Sequence, residues 1–121
     1  MLVIDDDPQI HELINRCLNK EQLNVVIASS GEEGLKLAEE LQPNIISLDV
    51  MMPQRDGWSI LSSLKENPQT AHIPVIMMTI IDEKNKGYNL GAADYILKPI
   101  NRQQLINVLH KYIQVPASET V

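Results

Sequence analysis

The sequence predicts a doubly wound α/β domain, a five-stranded parallel sheet with helices on both faces. Three observations carry that prediction. Apolar runs of strand length alternate strictly with segments of helical period, which is the pattern of successive βαβ units. The central run Ile45-Ile46-Ser47-Leu48-Asp49-Val50 has no helical periodicity and is flanked by turn signals, as expected of a strand buried on both sides. At 121 residues, 44% of them hydrophobic, the chain has the size and apolar content of one domain with a filled core.

The elements follow in order. Leu2-Val3-Ile4 is the first strand and runs straight into Asp5, Asp6 and Asp7. Asp7-Pro8 is a helix start, with Asp at the N-cap and Pro at the first helical position, where its missing N–H is no loss. Asp5 and Asp6 are left without a capping role. Ile10, Leu13, Ile14, Cys17 and Leu18 recur with helical spacing and mark the inner face of the first helix, while His11 falls off that face into solvent. Leu23 to Ala28 reads as the second strand and Ser29-Ser30-Gly31 as a helix start. Gly34, Leu37, Ala38 and Leu41 form the inner face of the second helix, which ends before Pro43.

The third strand ends at Asp49. Pro53 and Asp56-Gly57 delay the next helix, so Asp49 comes too early to cap it. Trp58, Leu61 and Leu64 turn a third helix inward, stopped near Asn67-Pro68, and Pro74 to Thr79 is a fourth strand with Pro at its tolerated first position. The methionine pairs Met51-Met52 and Met77-Met78 read as packing. Between Asp82 and Gly91 the helical signal is weak, because Gly87 costs about 1 kcal/mol relative to Ala and only Tyr88 and Leu90 are large. This fourth helix is expected to be the loosest. Asp94 to Leu97 is the fifth strand, ended by Lys98-Pro99, and Leu105, Val108, Leu109 and Tyr112 face a fifth helix inward. The domain is expected to span residues 1–114, with Val115 to Val121 a frayed tail or linker.

Sixteen Asp and Glu against ten Lys and Arg give a net charge of −6, which repels nucleic-acid phosphates and anionic lipid, so neither is an expected partner. The single cysteine, Cys17, can form neither an internal disulfide nor a Cys-based zinc site. No apolar run approaches the roughly 20 residues of a membrane span, and the N-terminus lacks the features of a signal peptide. A cytoplasmic domain is the expectation.

Parallel strands bring the residues at their carboxyl ends to one edge of the sheet, where open α/β folds bind ligands. Here these are Asp5 and Asp6 after the first strand, Asp49 after the third, Thr79 after the fourth and Lys98 after the fifth. A like-charge pair ~4 Å apart at an effective dielectric of ~20 is worth about 4 kcal/mol, so three crowded carboxylates need cationic compensation. Lys98 supplies one charge, and Mg2+ held by carboxylates and waters supplies the rest. A pocket with a metal, a lysine and a hydroxyl can bind a phosphoryl group, and an Asp beside the metal is a competent nucleophile toward phosphorus.

Four separated stretches, LVIDDDP, LDVMMPQRDGW, VIMMT and DYILKPI, together resemble the receiver domain of two-component response regulators, over essentially Leu2 to Ile113. The resemblance implies a flavodoxin-like sheet of order 2-1-3-4-5. It implies phosphorelay signalling in place of conventional turnover, the domain promoting its own aspartyl phosphorylation and dephosphorylation. Carried over by position, it implies that Asp49 is the phosphoacceptor and that Asp5, Asp6, Asp49 and the backbone carbonyl of Met51 hold Mg2+. It further implies that Lys98, in a Lys-Pro bond which the family holds cis, pairs with a phosphoryl oxygen, and that Thr79 and Tyr95 are the switch residues. The implied partners are a histidine kinase or histidine phosphotransfer protein as donor. A second copy of the chain is implied as partner through the switching face of the fourth helix, fifth strand and fifth helix.

Some positions depart from that family's pattern. Ile80 follows the switch Thr where Ala or Gly is frequent, and its bulk is expected to narrow access to Asp49. The first strand looks trimmed, as in a segment of a larger protein, and Lys84 to Tyr88 with Asp94 to Ile100 resemble receivers attached to hybrid histidine kinases. Two other classes compete. A haloacid-dehalogenase-like phosphatase also uses an Asp nucleophile and Mg2+, but it wants a second Asp where Met51 stands. A receiver-like binding module would lack pocket residues that are all present here. His11-Glu12-Leu13 resembles a kinase phosphoacceptor site, but no Arg-Thr-Pro follows it.

Overall fold

The computed structural model of the chain describes residues 1–19, 24–52 and 56–112. Among the described residues the order is β1 (Leu2–Ile4), α1 (Pro8–Asn19), β2 (Val26–Ala28), α2 (Gly31–Leu41), β3 (Ile46–Leu48), α3 (Gly57–Glu66), β4 (Val75–Thr79), α4 (Lys84–Asn89), β5 (Asp94–Leu97) and α5 (Arg102–Tyr112). The strands pair in parallel in the order β2-β1-β3-β4-β5. The chain therefore winds outward in both directions from the β1–β3 pair, and a crevice opens at the carboxyl ends of those two strands.

Alternation along each strand divides the core in two. Leu2, Ile4, Ile46, Leu48, Val75 and Met77 pack with Ala38 of α2 and with Ile60, Leu61 and Leu64 of α3. Val3, Ile76, Met78 and Ile96 pack with Ile14, Cys17 and Leu18 of α1 and with Leu105 and Leu109 of α5. No helix among the described residues is long and apolar enough to cross a membrane.

Local chemistry explains the helix boundaries. At α1, Gln9 N–H donates to Asp7 Oδ1 at 2.9 Å, the cap expected of Asp7-Pro8. At α2, Glu33 N–H donates to Ser30 Oγ at 3.2 Å, which satisfies one orphan donor, while the N–H of Ser29, just ahead of the cap, donates to the Glu33 carboxylate at 3.0 Å. At α3, Ser59 N–H donates to Asp56 Oδ1 at 2.9 Å. Helix α4 has six residues and no side-chain cap, in keeping with its weak signal.

Three expectations change. Strands β2 and β4 begin at Val26 and Val75, later than the apolar runs suggest. Leu41 is 49% exposed instead of facing inward: α2 packs through small buried residues, Gly31 against Ile60 of α3, Gly34 against Ile4 of β1 and Ala38 into the core, and Leu41 lies in the last turn, before the left-handed Gln42. Leu23, Pro53, Ile113 and the expected tail from Val115 to Val121, with its boundary at 114, lie outside the described residues.

Candidate functional site

Asp5 and Asp49, each one residue past the end of its strand, are buried, at 1% and 5% exposure, and Asp6 is exposed. Register explains the first two: Ile4 pairs with Leu48, so the residues that follow both leave the sheet side by side. The three acids each offer a carboxylate oxygen within 4.8 Å of the other two. Lys98 Nζ, arriving from the end of β5, lies 3.0 Å from Asp49 Oδ2 and 3.1 Å from Asp5 Oδ2. Its backbone N–H donates to the Thr79 carbonyl at 2.9 Å, which ties the end of β5 to that of β4, and Lys98-Pro99 is cis.

The second oxygen of Asp49 accepts from Met51 N–H at 3.1 Å, so the chain folds back and holds the Met51 backbone beside the carboxylate while its side chain stays exposed. Gly57 makes this turn possible. A Cβ there would lie 2.1 Å from the Asp49 carbonyl oxygen, and its N–H donates to the Val50 carbonyl at 2.8 Å. Thr79 is fully buried and its hydroxyl oxygen accepts from Ile81 N–H at 3.3 Å, which leaves its own hydrogen free to donate.

Electrostatics set what this pocket can hold. Burial pushes the Asp5 carboxyl above its ordinary range, only partly opposed by the Asp7 N–H at 2.9 Å and by Lys98. Burial pulls the Lys98 ammonium down, but Asp49 and Asp5 outweigh it and hold the ammonium above its usual value. Asp7 Oδ2 adds a further carboxylate 3.8 Å from Lys98. Asp5, Asp7 and Asp49 thus crowd about one ammonium, with Asp6 beside Asp5 and Asp49. An excess of hard oxygen donors of this kind fits a divalent cation such as Mg2+.

Tyr95 is buried, at 4% exposure. Its hydroxyl donates to the Ile81 carbonyl at 2.5 Å and accepts from Glu83 N–H at 3.4 Å, and burial pushes the phenol upward in pKa. The ring rests on Gly87, and its centroid lies 6.4 Å from that of Trp58, over which Lys86 Nζ sits at 4.8 Å. A cleft of about 580 Å3 opens beside the acids, lined by Asp6, Met51, Trp58, Ile81 and Glu83 among others.

The fold brings Asp5, Asp6, Asp49 and Lys98 into one cluster and places Thr79 at the same edge; Tyr95 is tied to that edge through the Ile81 loop. Two expectations are corrected. Ile80 is 62% exposed and does not line the cleft; Ile81 does, because the loop is pinned to Thr79 and Tyr95 on either side of it. His11 is half-buried with Nε2 2.5 Å from the Asp5 carbonyl oxygen, because the first turns of α1 stand over their own N-terminal loop. Periodicity weighs only the apolar face of a helix and so misses His11. Gly57 had a signal, a glycine directly after the capping Asp56.

The response regulator receiver domain family matches residues 1–110. The DNA-binding dual master transcriptional regulator RpaA of Synechocystis sp. is 38% identical over 109 residues, 88% of this chain and 45% of that protein. The alkaline phosphatase synthesis transcriptional regulatory protein PhoP of Bacillus subtilis is 39% identical over 108 residues, 87% and 44% respectively. The chain spans less than half the length of these curated relatives. Among solved structures, the BeF3-activated N-terminal receiver domain of RstA from Klebsiella pneumoniae aligns with a TM-score of 0.81 at 27% identity, over 92% of this chain and 95% of that one. Because the family match covers nearly the whole chain and the strand order, the acids and the lysine agree with it, the chain belongs to the response regulator receiver domains of two-component signalling.

Proposed function

We propose that the domain takes a phosphoryl group from a phosphohistidine, on a histidine kinase or a histidine phosphotransfer protein, onto Asp49. The observation that carries this reading is the environment of Asp49: a buried carboxylate with an ammonium 3.0 Å from one oxygen, a peptide N–H 3.1 Å from the other and two further acids alongside. Asp5, Asp6, Asp49 and the Met51 carbonyl would hold Mg2+, which when bound neutralises charge on the phosphoryl oxygens. An Asp49 oxygen attacks phosphorus in line; the O–P bond forms as the N–P bond breaks, and the electron pair leaves on the imidazole nitrogen. Lys98 then turns its ammonium to a phosphoryl oxygen. Hydrolysis of the acyl phosphate by water returns the Asp49 carboxylate and inorganic phosphate, which makes the domain its own slow phosphatase.

The switch follows from the hydrogen bonds at Ile81. Thr79 donating to a phosphoryl oxygen draws on the hydroxyl that now accepts from Ile81 N–H, and Tyr95 holds the carbonyl of that same residue. Both switch residues therefore act on one loop, and that loop leads into α4, the short uncapped helix with the least to lose on moving. The face of α4, β5 and α5 is where a partner, or a second copy, reads the state. Transfer from a phosphohistidine sets the domain in the cytoplasm with its donor.

Trp58 and Asp6 line the same cleft, so tryptophan emission is a direct probe. A saturable Mg2+ titration of Trp58 fluorescence should vanish in the Asp6→Asn, Asp49→Asn double variant. A small phosphodonor should label Asp49 and nothing else in mass mapping. Labelling at any other carboxylate sinks the assignment.

A further inference from the structure

The acids of the β1–α1 loop are held very differently. Asp5 is fixed on all sides: its N–H donates to the Ala28 carbonyl at 3.1 Å, Oδ1 accepts from Asp7 N–H at 2.9 Å and Oδ2 faces Lys98 Nζ at 3.1 Å. Asp6 is exposed, and among the described residues nothing hydrogen-bonds or pairs with its carboxylate. The backbone from which it hangs sets the direction of its Cα–Cβ bond, and with it the positions that the carboxylate's rotamers can reach. The Asp5 carbonyl and the Asp6 N–H belong to one planar peptide unit. Whatever fixes that carbonyl fixes the plane that carries Asp6.

His11 is the group that fixes it. Its Nε2 lies 2.5 Å from the Asp5 carbonyl oxygen. A carbonyl only accepts, so Nε2 carries the hydrogen. The position is favourable for this: His11 is four residues past the capping Asp7, its own N–H donates to the Asp7 carbonyl at 3.2 Å, and its half-buried ring lies over the loop that the cap closes.

We propose that His11 is a positioning residue for the metal site, setting the Asp5–Asp6 peptide plane so that the otherwise untethered Asp6 carboxylate faces those of Asp5 and Asp49. The proposal rests on the reading of these three acids as Mg2+ ligands. Groups that orient a metal ligand are typically worth about 10- to 100-fold in metal affinity. One donor acting on a backbone carbonyl belongs at the lower end of that range.

The test compares His11→Phe, which keeps a ring and deletes the donor, with His11→Gln, whose amide nitrogen is as many bonds from Cβ as Nε2 and restores it. His11→Met, matched in length to Gln, repeats the comparison should Phe prevent folding. In metal-free wild type, nitrogen NMR should report hydrogen on Nε2 of His11. The donor-free variants should exchange the Asp6 amide hydrogen faster, keep a metal-free melting temperature close to wild type and weaken Mg2+ on the order of tenfold, and Gln should recover both exchange and affinity. Mg2+ binding that disappears in Asp6→Asn but is unchanged in folded His11→Phe and His11→Met overturns the role of His11 alone. Mg2+ binding that is unchanged in the Asp6→Asn, Asp49→Asn double variant overturns the metal-site reading and the His11 proposal with it.

Discussion

Gly57 stands so close to Asp49 that a Cβ on it would lie 2.1 Å from the Asp49 carbonyl oxygen, and 2.7 Å from the Cα of Val50. The contact is against backbone, so no side-chain rotation relieves it, and the turn that aims Asp49 at Lys98 exists only while residue 57 is glycine. Overpacking of this kind costs roughly 3 kcal/mol or more, against at most about 1 kcal/mol that alanine gains in helix propensity. Gly57→Ala should therefore lower the urea unfolding midpoint clearly and reduce labelling of Asp49. A variant that unfolds with the wild type would mean that this approach does not set the turn.

Asp5 makes the metal-free site unfavourable at neutral pH. Burial raises its carboxyl above the ordinary 3.8, so the folded state holds that proton at pH values where the unfolded chain has released it. Stability is then lost as pH rises through the raised value, and the loss persists at pH 7. Asp5→Asn removes the charge while Lys98 keeps Asp49 at 3.0 Å. In chelator, the variant should melt above wild type at pH 7, and the difference should close as pH falls toward 3.8. A gain of about 1 kcal/mol would be roughly 3–6 °C in a domain of this size. Mg2+ should raise the melting temperature of wild type only. A variant that melts lower than wild type in chelator would show that the Asp5–Lys98 contact outweighs the burial of the charge.

Tyr95 and Gly87 share one space: a Cβ on Gly87 would come 2.8 Å from the ring. In Gly87→Ala the helix gains about 1 kcal/mol of propensity and the clash costs about 1–3 kcal/mol, unless the ring swings outward. If it swings, its hydroxyl leaves the Ile81 carbonyl and Glu83 N–H. The expected signature is local: little change in the global unfolding midpoint, faster hydrogen exchange at the Glu83 amide, and altered emission from Trp58, 6.4 Å from the Tyr95 ring. Unaltered exchange at Glu83 would mean that Tyr95 does not tie down the β4–α4 loop.

Asp5, Asp49, Thr79 and Lys98 are legible in the sequence because a parallel sheet converts position along a strand into position in space: the last residue of each strand, or the one after it, arrives at the same edge. Asp7 is legible as a cap because its own backbone partners lie within four residues. What stays hidden depends on which way a side chain leaves a turn. Ile80 and Ile81 are chemically alike, and only the loop held by Tyr95 decides that Ile81 lines the cleft while Ile80 faces solvent. His11 is off the apolar stripe, and periodicity equates that with solvent, but a helix also faces its own N-terminal loop. Leu41 continues the stripe of α2, yet small residues make the close approach and the helix ends before a large one is needed.

Water must reach phosphorus in line to hydrolyse an acyl phosphate at Asp49, and a polar side chain beside that path helps to orient it. By resemblance to the family the flanking positions are two residues past Asp49 and two past Thr79, here Met51 and Ile81, and both line the cleft beside the acids. Neither side chain hydrogen-bonds water strongly, so the phosphoform should be long-lived and slow to form from small donors. One oriented water contact is worth ~1 to 2 kcal/mol, or roughly a tenfold change in rate or somewhat more. Met51→Asn and Ile81→Glu should each speed decay by about that factor. Met51→Asn is the cleaner of the two, since Ile81→Glu adds a charge to a cleft that already holds Asp6 and Glu83. Ile80, exposed and off the cleft, is the control: Ile80→Ala should leave the decay rate unchanged. If Met51→Asn and Ile81→Glu decay no faster than the parent chain, or Ile80→Ala alone does, apolar flanking of the cleft is not what sets the lifetime.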